Sequence, residues 1–213
     1  MITIGILVLT LIFSVYAMNR PDIKYKYIFH PYSINKFNQH YRFLSHAFLH
    51  GDYIHLAFNM YALIIFGPLI EKQIYPILLG ADGEPNFKMG SLFYVLLYTG
   101  AIYASSLSEY FKNRNNQYYT SLGASGAINA LIFSFILFAP SAKLGLFFIP
   151  MPAWFFGIAY LGVSYYLSKR KANFDSVDNV GHEAHFWGAI FGLVFTGMLK
   201  PSLFSEFISQ ILH

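Results

Sequence analysis

The sequence predicts an all-α membrane protein, a bundle of six transmembrane helices with a long interfacial first loop and a short fourth helix that starts inside the membrane. Three observations lead there. Of the 213 residues, 56% are hydrophobic and only 11% charged, and the mean hydropathy is positive, which is far more apolar than a soluble domain of this length. Six uncharged stretches approach the ~20 residues a helix needs to cross the hydrocarbon layer. They place spans at about residues 2–18, 55–71, 89–111, 123–139, 144–168 and 183–199, within one domain covering residues 1–213. Third, a hydroxyl at Ser125 and an imidazole at His185 lie inside such stretches. An imidazole in hydrocarbon needs a partner or a wet cavity, so it marks function by default.

Composition also excludes. The chain has no cysteine, so disulfides and thiolate metal sites are ruled out. The net charge of +4 is carried by the loops without a basic run of the length a phosphate backbone needs. The expected partner is therefore the lipid bilayer with its anionic head groups, not nucleic acid.

Taken in order, residues 2–18 have no basic residues before them and no small-x-small cleavage site, so they read as a retained span and not a signal peptide. Residues 19–54 are rich in Tyr, Phe and His, too apolar for a solvated linker, and are expected to pack at the interface with short helices of their own. Residues 73–88, with Gly80, Asp82, Gly83 and Pro85, read as a loop. The polar run Asn113-Arg114-Asn115-Asn116-Gln117 leads to Thr120 and Ser121, good N-cap residues. The fourth helix is thus expected to begin near residues 122–124 and end at Phe138, ahead of Pro140. A helix starting at depth exposes its first N–H groups, which is tolerated only in a wet cavity or inside protein. In the fifth span, Pro150-Met151-Pro152 either loosens the helix as a gate or simply starts it. Residues 202–212 space Leu203, Phe204, Phe207, Ile208 and Ile211 at helical intervals, so they either extend the last span or lie along the surface.

The chemistry concentrates in two spans. Ser125, in Gly123-Ala124-Ser125-Gly126, falls in the first turn of the fourth helix. Unpaired N–H groups and the positive end of the helix dipole favour an oxyanion there, and Gly123 and Gly126 leave room for a substrate backbone. The bland alternative is a small-residue packing surface. His185, Gly188 and Gly192 fall at i, i+3 and i+7, placing an imidazole above a groove. Gly126, Ala130 and Ser134 form the matching stripe. If the stripes face each other, Ser125 and His185 come within reach as nucleophile and general base. His55 and Asn59, at i and i+4, either point side-chain N–H groups at the same cavity, suited to an oxyanion, or anchor the span at the interface. No carboxylate is placed to orient His185, and Glu183 lies on another helical face, so a dyad is expected and not a triad.

A metal reading competes. His46 and His50 stand at i and i+4, with His182 and His185 available to complete a site. No HExxH is present, and His182-Glu183-Ala184-His185 has the wrong spacing for a helical zinc protease. No metal or other cofactor is expected, and His46, His50 and His182 read as loop residues lining the mouth of the site.

Together these residues resemble the rhomboid family of intramembrane serine proteases. The match consists of Tyr41-Arg42, His55-x-x-x-Asn59, Gly67, Glu71, Gly123-x-Ser125-Gly126 and Ala184-His185-x-x-Gly188-x-x-x-Gly192, in the family's order. The resemblance implies a six-helix rhomboid-like bundle that cleaves peptide bonds in or near transmembrane segments of membrane-protein substrates. It makes Ser125 the nucleophile, His185 the base, and His55, Asn59 and the Ser125 amide the oxyanion hole. Arg42 and Glu71 become structural, holding the first loop and the far end of the second span. An inactive relative that binds and escorts spans is the alternative; retention of Ser125 and His185 argues against it. One departure is Asn129, where many members carry an aromatic residue one turn after the nucleophile. The family topology implies a bacterial plasma membrane with a cytoplasmic amino terminus and a site opening to the other side. That puts ten Lys or Arg on the active-site side and four opposite, the reverse of the positive-inside preference.

Overall fold

Apolar residues at helical spacing fold the chain into α-helices joined by short connections, in a computed structural model that describes residues 1–146, 149–171 and 181–212. The helices are α1 (Ile2–Met18), α2 (Pro21–Tyr27), α3 (Pro31–Phe37), α4 (Arg42–Ser45), α5 (Tyr53–Leu69), α6 (Tyr75–Leu78), α7 (Phe87–Asn113), α8 (Ser125–Phe138), α9 (Ala153–Lys171), α10 (His182–Leu199) and α11 (Ser202–Leu212). A π-helical turn, Ile70–Ile74, joins α5 to α6. The strands β1 (Lys143–Leu146) and β2 (Ile149–Pro152) pair antiparallel, with Lys143 opposite Pro152.

Among the described residues, two helices are long and apolar enough to cross a membrane, Tyr53–Leu78 and Phe87–Asn113. A third qualifies if α10 and α11 are taken as one bent span. The apolar helices α1, of 17 residues, and α8, of 14, are shorter. At 1.5 Å per residue, α8 rises only about 21 Å against the ~30 Å hydrocarbon core. Neighbours compensate: ten of its fourteen residues are buried, and α5, α7, α9 and α10 pack around it. A helix apolar on all sides belongs in a core.

The outer helices are turned inside out, as lipid demands. In α1 the buried residues are Thr3, Thr10, Ser14 and Ala17, while Ile4, Val8, Leu9 and Ile12 are exposed. Small and polar residues make the helix contacts and the apolar ones face outward. The α1 amino terminus sits on Glu71, which accepts from the backbone N–H of Ile2 and Thr3 (both 2.9 Å) and from Thr3 Oγ1 (2.7 Å). A carboxylate there meets the positive end of the helix dipole. Arg42 does comparable work in the first loop, whose short helices are α2 to α4. Its Nη1 donates to the carbonyls of Tyr25 (2.9 Å) and Ile28 (2.8 Å), and its Nε to Gln39 (2.7 Å).

Three expectations need correction. Residues 73–78 are helical, because Ile70, Ile74 and Tyr75 are buried in the main core and Pro76 falls in the first turn of α6, where a missing N–H costs nothing. Residues 143–146 and 149–152 pair as two antiparallel strands instead of forming the first turns of the fifth span. Pro150 and Pro152 lack the N–H donors that a helix interior needs, so α9 starts at Ala153. Residues 147 and 148 of that span lie outside the described residues. Neither Thr120 nor Ser121 caps α8, whose N-cap is Ala124. Ser121 is extended instead, exchanging hydrogen bonds with Phe29 (3.0 and 3.1 Å). Of the two readings left open for residues 202–212, the 111° bend after α10 favours a helix lying along the surface.

Candidate active site

The site is assembled by close contact between α8 and α10. A Cβ at Gly188 would overlap the carbonyl oxygen of Gly126, and one at Gly192 would overlap that of Ala130. Only glycine permits this approach, and it brings the two small-residue stripes face to face. Lower on the same seam, Thr196 Oγ1 donates to Ser134 Oγ (2.7 Å). The consequence is at the upper end. Ser125 opens α8, His185 lies in the first turn of α10, and His185 Nε2 is 2.8 Å from Ser125 Oγ.

The strand leading into Ser125 is pinned from both sides. Gly123 donates its N–H to the His46 carbonyl (3.0 Å) and has φ +123°, a conformation open to glycine and costly for other residues. A Cβ there would lie 2.9 Å from His55 Cε1 and 3.1 Å from its Nε2, so the His55 ring borders the segment that delivers the serine. Asn59, buried one turn further along α5, donates Nδ2 to the His55 carbonyl (2.9 Å). Asn129 donates to the Ser125 carbonyl (2.9 Å), and the first N–H groups of α8 have no acceptor within their own helix. Beside Ser125 a small cavity is lined by His46, Ser105, Glu109, Ser121 and Gly181.

The His185 ring meets Tyr160, which the sequence did not single out. Its ring stacks on His185 with centroids 6.4 Å apart and planes 26° from parallel, and its hydroxyl faces Asn129 and Ser164. His182 meets His185 edge-on at 6.0 Å. The aromatic partner thus comes from α9, with Asn129 of α8 behind it. A polar stripe at Tyr160 and Ser164, one turn apart in an uncharged span, was the available signal. Glu183 is held by α7, accepting from Ser108 Oγ and from Lys112 Nζ (3.1 Å). A second unforeseen carboxylate, Glu109, is buried beside the cavity and accepts from Ser121 Oγ (2.8 Å).

His46 and His50 are both buried; His46 lines the cavity beside Ser125, as expected, whereas His50 does not. The apolar loop packs its imidazoles inward, and desolvation lowers them to about 4 and about 3 respectively. His46 packs on Phe29 at 5.2 Å. The tautomer of His50 follows from counting protons. Ser14 Oγ donates its one hydrogen to the Phe48 carbonyl (2.7 Å), so it must accept from His50 Nδ1 (2.8 Å). His50 is then neutral with its proton on Nδ1, and its ring stands edge-on to His55 at 4.9 Å. Among the described residues, no three His, Asp or Glu side chains gather closely enough to hold a metal ion.

The comparisons with known proteins give the family. The family model of the rhomboid domain matches residues 38–202. Over 168 residues the chain is 31% identical to the RHOMBOID-like protein 12, mitochondrial, of Arabidopsis thaliana, covering 76% of this chain and 47% of that protein. It is 29% identical over 152 residues to the Presenilin-associated rhomboid-like protein A, mitochondrial, of Danio rerio (71% and 35%). It is also 29% identical over 157 residues to the Rhomboid protein 1, mitochondrial, of Saccharomyces cerevisiae (71% and 40%). The chain thus spans about half or less of the length of these three relatives, and their organellar names lend no support to a bacterial plasma membrane. Because the family's pattern runs unbroken from the first loop through both helices that carry the Ser125–His185 pair, this membrane protein belongs to the rhomboid family.

Proposed function

We propose that the protein is an intramembrane serine endopeptidase that hydrolyses peptide bonds in or near the transmembrane segments of membrane-protein substrates. The 2.8 Å contact between Ser125 Oγ and His185 Nε2 carries this reading. As Oγ attacks the scissile carbonyl, Nε2 takes its proton. The oxyanion forms against the Ser125 N–H, His55 and Asn59, at the positive end of the α8 dipole. The imidazolium then returns the proton to the leaving amine, and the acyl-enzyme is hydrolysed by a water that His185 deprotonates in turn. Tyr160 keeps the ring in line by stacking, in the place where a triad would use a carboxylate. Gly123 and Gly126 leave the approach to Oγ open, and the substrate helix unwinds locally to offer its carbonyl.

The six membrane helices of this reading are α1, α5 continued through α6, α7, α8, α9 and α10, in a single domain. Arg42 and Glu71 are structural within it, the first closing the loop between α1 and α5, the second fastening α1 to the far end of α5. Reconstitution in liposomes with a single-span reporter tests the chemistry. Cleavage by the wild type is expected to fall at least about a thousandfold in Ser125→Ala and in His185→Ala. Activity that survives Ser125→Ala overturns the proposal.

A further inference from the structure

The helix α11 has a surface that none of the described residues covers. Lys200 is extended and Pro201 cannot continue a helix, so the chain leaves α10 and turns by 111°. With α10 crossing the bilayer, α11 lies close to the membrane plane, at the face opposite the Ser125–His185 pair. Around its axis, at 100° per residue, the side chains fall into three sectors. Leu203 is buried, Phe207 packs against the cluster of Phe133, Ile136 and Ala189, and Ser141 Oγ donates to the Gln210 carbonyl (3.1 Å), so this side faces the bundle. Beside it, Phe204, Ile208 and Leu212 repeat at i, i+4 and i+8 and are 48%, 56% and 77% exposed. Ser202, Ser205, Glu206 and Ser209 make up the rest.

A helix between protein and water needs two kinds of surface, one apolar and one polar. A third, an exposed apolar stripe between them, is what a boundary of protein, lipid and water requires. We propose that α11 is an interfacial helix, seated at head-group level with Phe204, Ile208 and Leu212 among the acyl chains, where it straps together the lower ends of α8 and α10. The stripe is continuous with the outward residues Val194 and Met198 of α10, which are 50% and 76% exposed. Phe204 makes the join by packing over Gly197, where a Cβ would overlap its ring. Charge sets the lipid dependence. Glu206 pairs with Lys200 at 3.6 Å with both side chains half-exposed, so the polar sector has no surplus basic charge for anionic head groups, and the pair stays at the water surface. Seating therefore comes from apolar insertion.

The chain has no cysteine, so single-cysteine variants can be spin-labelled without background. We expect labels at Ile208→Cys and Leu212→Cys, in reconstituted vesicles, to collide with oxygen and resist a water-soluble nickel chelate. Ser205→Cys and Ser209→Cys should do the reverse. The oxygen-to-nickel ratio should differ severalfold between the pairs and stay the same in zwitterionic and in anionic vesicles. Nickel access at 208 and 212 equal to that at 209 overturns the inference, as does spin–spin broadening at 208, which would mean a second copy covers the stripe. Loss of nickel access at 209 as well overturns it in favour of a re-entrant helix. Val194→Cys and Met198→Cys keep the inference separate from the span assignment of α10: aqueous labels there would break that assignment first.

Discussion

The two sides of the site are held by different physics. On the nucleophile side, α8 and α10 meet backbone to backbone, with Gly188 against Gly126 and Gly192 against Ala130. On the side proposed to bind the oxyanion, His55 is held by polar contacts spread across the chain. Asp52 Oδ1 accepts its N–H (2.8 Å), His50 stands against its ring, and Ser14 of α1 binds His50. Close packing has no slack, because an added methyl meets backbone that cannot rotate away. A hydrogen-bonded network loses one bond at a time, each net worth about 1 kcal/mol. The nucleophile side should therefore fail abruptly and the oxyanion side by degrees.

The sharpest break of this contrast is Gly188→Ala. The new Cβ forces α10 away from α8 at the level of the dyad, and misplacement by about 1 Å can cost 100-fold in rate. We expect cleavage to drop by at least that factor, with about 1–3 kcal/mol of destabilisation from overpacking. Near-normal cleavage at a normal melting temperature would mean that the seam can repack.

Acid should sort the two sides next. His46 and His50 have folded-state values of about 4 and about 3 against 6.5 when unfolded. Each is buried neutral, so its contribution is complete above about pH 6.5 and is lost as the pH falls, because the unfolded chain takes up the proton first. By pH 4 the loss is about 3 kcal/mol for each. Melting temperature in detergent should fall steeply between pH 6.5 and 4. His50→Phe, which cannot titrate, should flatten the slope. An unchanged slope would place the acid sensitivity elsewhere.

Tyr160 tests whether stacking orients the base. Tyr160→Leu removes the ring beneath His185, and we expect kcat to fall about tenfold at unchanged KM, since positioning acts in the transition state. Tyr160→Phe keeps the ring and should stay within about threefold of the wild type, on the same reasoning. Equal losses in both variants would shift the role to the hydroxyl.

What could be read in advance follows the same division. Packing that repeats along one helix leaves a periodic trace, so His185, Gly188 and Gly192 pointed to a groove, and Gly126, Ala130 and Ser134 to its partner. Contacts between distant segments leave none. The stripe of Tyr160 and Ser164 marks a polar face, but it does not say that Tyr160 meets His185, because aromatic residues are common throughout this chain. His46 and His50 sit in a loop that reads as interfacial, and only the fold turns them inward. The strand pair of 143–146 and 149–152 was hidden for another reason: an apolar strand and the start of a span have the same composition, and only Pro150 and Pro152 tell them apart. The continuation through α6 escaped because Gly80, Asp82, Gly83 and Pro85, just beyond it, give the whole stretch the composition of a loop.

The smallest predicted effect examines the far end of the polar network. Ser14 lies on α1, away from the dyad, and reaches the oxyanion side only through His50 and His55. Ser14→Ala removes the acceptor that keeps the His50 proton on Nδ1 and leaves the Phe48 carbonyl without its donor. The stability cost should be about 2 kcal/mol, two net hydrogen bonds. The informative readout is the tautomer: nitrogen chemical shifts should give protonated Nδ1 at His50 in the wild type and a mixture in Ser14→Ala, with cleavage lowered by less than about threefold, near 0.7 kcal/mol. An unchanged tautomer would show that His55 alone orients His50, and the link from α1 to the oxyanion side would be cut. A loss as large as that of Gly188→Ala would erase the contrast itself, since the network would then be as unforgiving as the packed seam.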